Sequence, residues 1–245
     1  MMRLVSLVLF LGVWWIAAAL VGDAMLPSPL AVLDAIVSEA RSGALFLHLG
    51  ATLARVALAF TLAMALGTAL GLAMGRSRLI DRLADPWVLI LLNLPALVVI
   101  VLAYIWAGLT EAAAIAAVAV NKLPNTAVTV REGARALDRN LDEMAQVFRM
   151  PRWKAFRHVV LPQLAPYLAA AARSGLSLVW KIVLVVELLG RPNGVGFEIG
   201  VAFQLFDVTR ILAYALSFTA IILAIETVLV QPFERRASRW RLRPA

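Results

Sequence analysis

The stretch PWVLILLNLPALVVIVLAYIWAGLT, Pro86 to Thr110, runs for 25 residues without a charged side chain. As a helix it would measure about 37 Å, enough to cross a hydrocarbon core about 30 Å thick. Its apolar residues are continuous rather than alternating, which argues against a barrel strand. Similar runs lie on both sides. Leu4–Val21 and Val56–Gly75 carry no charge, and the latter begins near Leu45. Ala112–Val130 is apolar apart from Lys122, and Gln163–Leu189 holds Arg173, Lys181 and Glu187. Ile211–Val230 is interrupted by Glu226 alone. The predicted fold is all-α and polytopic: one transmembrane domain over residues 1–245, with six helices at about 4–21, 45–75, 86–110, 112–130, 163–189 and 211–230.

Composition supports this. The 245 residues are 62% hydrophobic and 16% charged, and the mean hydropathy is +0.88. A water-facing domain of this length sits near half apolar and a quarter charged. The absence of cysteine removes disulfides, thiolate metal sites and a cysteine nucleophile. Two histidines far apart, His48 and His158, leave no histidine-rich metal centre. No metal or cofactor is expected, and no close Ser/His/Asp grouping points to an enzyme. The start, Met1-Met2-Arg3 and then Ala17-Ala18-Ala19, resembles a secretory signal peptide. Its charge-free run exceeds the usual signal core, so a retained first helix is expected. Before the second span, Ser28 and Pro29 can open a short helix over Ala31–Glu39, with Val32 and Ile36 at the membrane surface.

Basic residues set the topology. Of 23 Lys and Arg, sixteen fall on one side: Arg3, the group Arg76/Arg78/Arg82, the segment 131–162 and the tail from Arg235. Arg41, Arg191 and Arg210 fall on the other. Both termini are therefore expected in the cytoplasm, and the net charge of +8 is a topology signal rather than a nucleic-acid footprint.

The hydrophilic segment 131–162 carries Leu137, Leu141, Met144 and Phe148 on one helical stripe, then Trp153, Phe156 and Val160 on another after Met150-Pro151. The reading is helix, break, helix. Such stripes can rest on lipid headgroups or dock a soluble partner. Glu143-Met144-Ala145, Arg149 and Val159-Val160-Leu161-Pro162 resemble the Glu-Ala-Ala loop of ATP-binding-cassette importer permeases. Two positions depart from that pattern, Met144 for alanine and Arg149 for glycine. If the turn is left-handed there, arginine costs about 1 kcal/mol more than glycine. Pro151 could instead set the break slightly later. The resemblance extends from Leu26 to Trp240. Leu26-Pro27-Ser28-Pro29, the stretch His48–Gly75, and Glu187 followed by Gly194-Val195-Gly196 look like the nitrate/sulfonate/taurine branch.

The resemblance implies a permease in the bacterial inner membrane that relies on partners. These are two ATPase subunits, a periplasmic or lipid-anchored substrate-binding protein and a second permease copy, as a homodimer or paired with a homologue. No G-x-x-x-x-G-K-[ST] loop occurs in the chain. The loop would act as a coupling helix: Glu143 offers its carboxylate to donors on the ATPase, Leu141, Ala145 and Phe148 fill its groove, and Arg149, Pro151, Leu161 and Pro162 shape the turn and the exit. The solute would be small, anionic or organic. A secondary transporter is the competing class, which would show inverted repeats and an ionisable relay.

Charges inside spans need an explanation, because each costs about 2.5–3.5 kcal/mol at a helix centre. Lys122 with Asn125 beside it, and Lys181, either line the solute path or snorkel or pair with Glu187 or Glu226. Asn93 next to Pro95 is a candidate path residue or a plain kink. Gly67, Gly71 and Gly75 repeat every four residues, a close-packing pattern. Trp87, Trp106 and Trp180 are expected as interface anchors or packing.

Overall fold

The computed structural model describes residues 2–22 and 25–232. The arginine-rich tail used in the topology reading lies outside them. Among the described residues there is no strand. The helices are α1 (Met2–Val21), α2 (Pro29–Arg41), α3 (Ala44–Arg76), α4 (Arg78–Asn93), α5 (Ala96–Ala107), α6 (Glu111–Arg135), α7 (Arg139–Val147), α8 (Arg152–Ala155), α9 (Leu161–Gly190), α10 (Val195–Gln204) and α11 (Val208–Ile225).

The all-α, polytopic reading stands; among the described residues four helices, or five with one bent pair, meet the length and apolarity of a span, against six expected. Helices 44–76, 111–135, 152–190 and 208–228 are each long and apolar enough to cross a membrane. The run expected as one span at 86–110 starts earlier, at Arg78, and bends by 101° between α4 and α5. Pro95 is the cause. It has no N–H to continue the ladder and disfavours helical geometry in the residue before it. Leu94 is accordingly extended (φ −72°, ψ 126°). The apolar described part of α1 is the shorter segment Val8–Val21.

Contacts divide the chain into two compact units, Met1–Ala54 with Leu184–Ala224 and Arg55–Val183 with Ile225–Ala245. In the first, Ser28 caps α2 by accepting from the Ala31 N–H at 3.3 Å. Val32, expected at the membrane surface, is 1% exposed and packs into the protein. In the second unit, α3 and α6 pack through glycine. A Cβ on Gly67 would meet Leu123 O at 2.8 Å, one on Gly71 would strike Ala127 O, and one on Gly75 would lie 2.9 Å from Arg131 O. The facing carbonyls also step by four, so the i±4 ridge of one helix seats on that of the other.

The segment after α6 is built by local rules. Asp138 caps α7, its carboxylate accepting from the Asn140 N–H at 2.9 Å. At the other end Arg149 adopts φ +48°. Its N–H bonds to Gln146 O and that of Met150 to Ala145 O, both at 2.9 Å, closing the last turn in the paired pattern that favours glycine at the left-handed position. The break therefore falls at Arg149 and not later at Pro151. Pro151 then opens α8, and the chain continues without interruption to Gly190. A π-turn at Phe156–Val160 stands immediately before Pro162, and a second at Glu226–Val230 before Pro232. Widening the helix there accommodates prolines that lack an N–H.

Two outcomes follow for purified protein. Gly71→Leu drives a side chain into α6 backbone and should lower stability by about 3 kcal/mol or more, seen as lost folded yield, whereas Gly50→Ala, with nothing within 4 Å of its Cβ, should be neutral or stabilising. Arg149→Gly should raise unfolding stability by about 1 kcal/mol by relieving the positive φ, read as a higher melting temperature; no change would mean that the turn relaxes without strain.

Candidate functional site

The elbow from α7 to α8 carries large apolar side chains on its exposed surface. Phe148 is 73% exposed, Val147 79% and Trp153 68%. Leu141, Met144 and Leu161 are exposed too. Trp153 and Phe156 stack with ring centroids 5.9 Å apart. Glu143 and Arg139 form an exposed i, i+4 pair at 3.0 Å, a bond of only about 0.3–0.5 kcal/mol that a partner's donor can replace. Pro151 and Pro162 also lie at the surface.

Not every expected groove-filler faces outward. Ala145 is 6% exposed and turns inward, where it closes the α7 cap through its carbonyl. Leu137 leaves the outer stripe as well. It packs with Leu72, Phe156 and Leu168 around the buried core of Ala134, Val160 and Leu164. A helical period identifies a face, but here both faces carry apolar residues and burial sorts them. Val147, off the predicted stripe, takes a place on the outer surface.

The elbow is tied to the membrane helices at three points. The apolar cluster is one. The others are polar: the Asp138 N–H donates to Gln163 Oε1 at 2.8 Å, and Arg76 at the end of α3 approaches Asp142 at 3.8 Å. A cavity of about 570 Å³ lies in the crook, lined by Arg76, Asp142, Arg149, Arg152 and Phe156 among others.

Within α6, Lys122 is 1% exposed. Its Nζ has no hydrogen-bond partner among the described residues. A Cβ on Gly175 of α9 would strike Lys122 Cε, so the glycine makes the room for this side chain. Neither snorkelling nor a structural ion pair accounts for an ammonium in that position. Lys181 is exposed and Asn125 half-buried. Asn93 is exposed at the end of α4 and donates to Leu89 O at 2.8 Å. Trp180 is buried packing, while Trp87 and Trp106 are exposed.

Glu187 is fully buried, and its carboxylate is committed. Oε2 accepts from Thr52 Oγ1 and from the Gly196 N–H, each at 2.9 Å. Gly194 (φ +115°) and Gly196 stand so close to this side chain that a Cβ at either would collide with it or with Leu184 O. Glu187 thus holds the turn that starts α10. Around it lies a polar network that sequence reasoning missed. His48 accepts from the Gly194 N–H at Nδ1 (3.0 Å), which puts its proton on Nε2, 3.1 Å from Glu198. Arg210 joins Glu198 at 2.8 Å and Glu39 at 3.5 Å, and the Tyr214 hydroxyl donates to Glu39 at 2.7 Å. In the second unit, Arg55 pairs with Glu111 at 2.5 Å. These partners are far apart in sequence, and no local pattern marks them.

Comparison with known proteins places this architecture. Residues 63–231 match the family described as binding-protein-dependent transport system inner membrane component. The chain is 34% identical over 231 residues to the putative aliphatic sulfonates transport permease protein SsuC of Escherichia coli (strain K12), covering 94% of this chain and 88% of that one. It is 36% identical over 243 residues to the riboflavin transport system permease protein RibX of Chloroflexus aurantiacus, covering 96% and 88%. The crystal structure of an amino acid ABC transporter with histidines shares the fold, with a TM-score of 0.65 at 22% identity over 82% of this chain and 98% of that one. The chain therefore belongs to the family of binding-protein-dependent transport system inner membrane components, and is a multi-pass permease subunit of an ATP-binding-cassette importer that works with ATPase and substrate-binding partners.

Proposed function

We propose that the elbow at 139–153 is the seat of the ATPase, and that two copies of this chain flank a path for a small anionic organic solute. The observation that carries the first part is the exposure of Phe148, Val147 and Trp153 on a segment otherwise rich in arginine. Large apolar groups held in water next to charged ones are what a docking surface requires. Glu143 then exchanges its weak bond with Arg139 for donors on the partner. The elbow faces the cytoplasm, and both termini lie on that side, in keeping with the basic residues around it. ATP-driven approach of two ATPase subunits pushes the two elbows together, and the spans rock between inward- and outward-open states.

For the solute, the two relatives differ, one bearing the name of aliphatic sulfonates and one of riboflavin. Lys122 favours the anion. An ammonium shielded from water, with no hydrogen-bond partner among the described residues, is a counter-charge waiting for one. Lys181 and Asn125 are secondary members of the path.

Alanine at Phe148 and Trp153 should each weaken ATPase association by about 2 kcal/mol, some thirtyfold, and Glu143→Arg should abolish stoichiometric co-purification; a full complement of ATPase retained by all three variants contradicts the docking assignment. Lys122→Met removes the charge and keeps the shape. It should raise the melting temperature while increasing the KM for uptake at least about tenfold, and Lys122→Glu should stop uptake with the complex still assembled. Parental uptake in both variants would remove Lys122 from the path.

A further inference from the structure

At the end of the second unit that carries the elbow lies another cavity, of about 580 Å³, where α3 turns into α4. Four guanidinium groups line it, those of Arg76, Arg78, Arg82 and Arg135, against a single carboxylate, Asp81. That carboxylate is already engaged, by Arg135 at 2.5 Å and Arg131 at 3.4 Å. Among the described residues, Arg76 has only its long approach to Asp142. The side chains of Arg78 and Arg82 have no ion pair or hydrogen bond in the described structure. They stand at i, i+4 on one helix, a spacing at which like charges repel. The sequence accounts for them as a topology signal. It does not account for their convergence with Arg76 and Arg135 on one cavity.

The position of the cavity identifies what fits it. Arg76 follows directly on the charge-free run that ends at Gly75, which sets the arginines at headgroup depth. Beside them α4 turns outward Leu79 (69% exposed), Leu83 (65%), Trp87 (69%) and Ile90 (52%), one continuous stripe at i, i+4, i+8 and i+11. The opposite face of α4 is fixed to α6 through Asp81 and Asp85 on Arg131. The helix therefore presents, side by side, a lane for acyl chains and a basic pocket at their polar end.

We infer that this cavity binds the phosphodiester headgroup of an anionic phospholipid, with the acyl chains laid along Leu79, Leu83 and Trp87. Guanidinium groups bond phosphate oxygens in pairs. A zwitterionic headgroup would bring its own ammonium into a pocket already in positive excess, so phosphatidylglycerol or cardiolipin is selected over phosphatidylcholine. The assignment does not depend on which solute is carried or on how the ATPase docks.

Native mass spectrometry of the delipidated full chain in neutral detergent tests it, with phosphatidylglycerol, cardiolipin or phosphatidylcholine added back. The expected result is retention of the two anionic lipids and not of phosphatidylcholine, with roughly thirtyfold weaker retention in Arg78→Gln/Arg82→Gln. Arg139→Gln/Arg157→Gln, which removes the same charge from the elbow and the π-turn after it, should retain lipid like the parent. Arg82→Gln alone, at an exposed position, keeps the comparison decisive should the double variant misfold. Equal retention by parent and cavity variants, or equal loss in the elbow variant, overturns the site. Displacement of the lipid by millimolar inorganic phosphate would make the ligand a soluble anion and overturn the lipid assignment.

Discussion

The packing of Ala134 against Val160 and Leu164 is the contact that holds the elbow to the helices of its own unit. It brings together the end of α6, the π-turn before Pro162 and the start of α9, with Leu72 of α3 against the same cluster. Burying a side chain such as Val160 or Leu164 stabilises by about 1.5–3 kcal/mol, so the elbow is held by a small core of its own. A force applied at Phe148 or Trp153 then has a stiff route into the membrane, because helix 152–190 runs on without a break.

Polar groups elsewhere follow the rule that hydrocarbon supplies no hydrogen bonds. Glu187 is buried where Thr52 and the Gly196 amide meet its oxygens, and His48 bridges Gly194 to Glu198. Each is satisfied and each fixes a turn. Lys122 departs from the rule, its buried Nζ having no hydrogen-bond partner among the described residues, while the Glu187 carboxylate is satisfied. The same contrast separates the arginines on α6 from those at the α3–α4 turn. Arg131 spends its charge on Asp81, Asp85 and Glu132, whereas Arg78 and Arg82 keep theirs.

Much of this was legible in the sequence, for physical reasons that also explain what was not. Apolar runs of bilayer length located the helices at 44–76, 111–135 and 208–228 to within about five residues at either end, because membrane insertion is decided by local hydropathy. The family resemblance in 131–162 found the elbow, and the concern over Arg149 met a real left-handed turn at that residue. Pro95 announced a disturbance, but a proline does not encode an angle, and the bend between α4 and α5 depends on what α4 packs against. The inward turn of Ala145 escaped detection because an alanine on an amphipathic helix suits either face. The links from Glu39 through Tyr214 and Arg210 to Glu198 join residues up to 175 positions apart, and only the folded chain brings them together.

That the elbow and its spanning helix move as one body is open to direct measurement. The chain has no cysteine, so spin labels can be placed singly at exposed Val147 on α7 and Leu178 on α9 in the assembled transporter. Pulsed electron resonance, with labelled copies diluted by unlabelled ones, reads the distance between them with and without trapped ATP. A rigid joint predicts one distance distribution in both states. A shift approaching a helical turn, about 5.4 Å, would show the elbow sliding on the bundle and would contradict transmission through the Ala134–Val160–Leu164 contact.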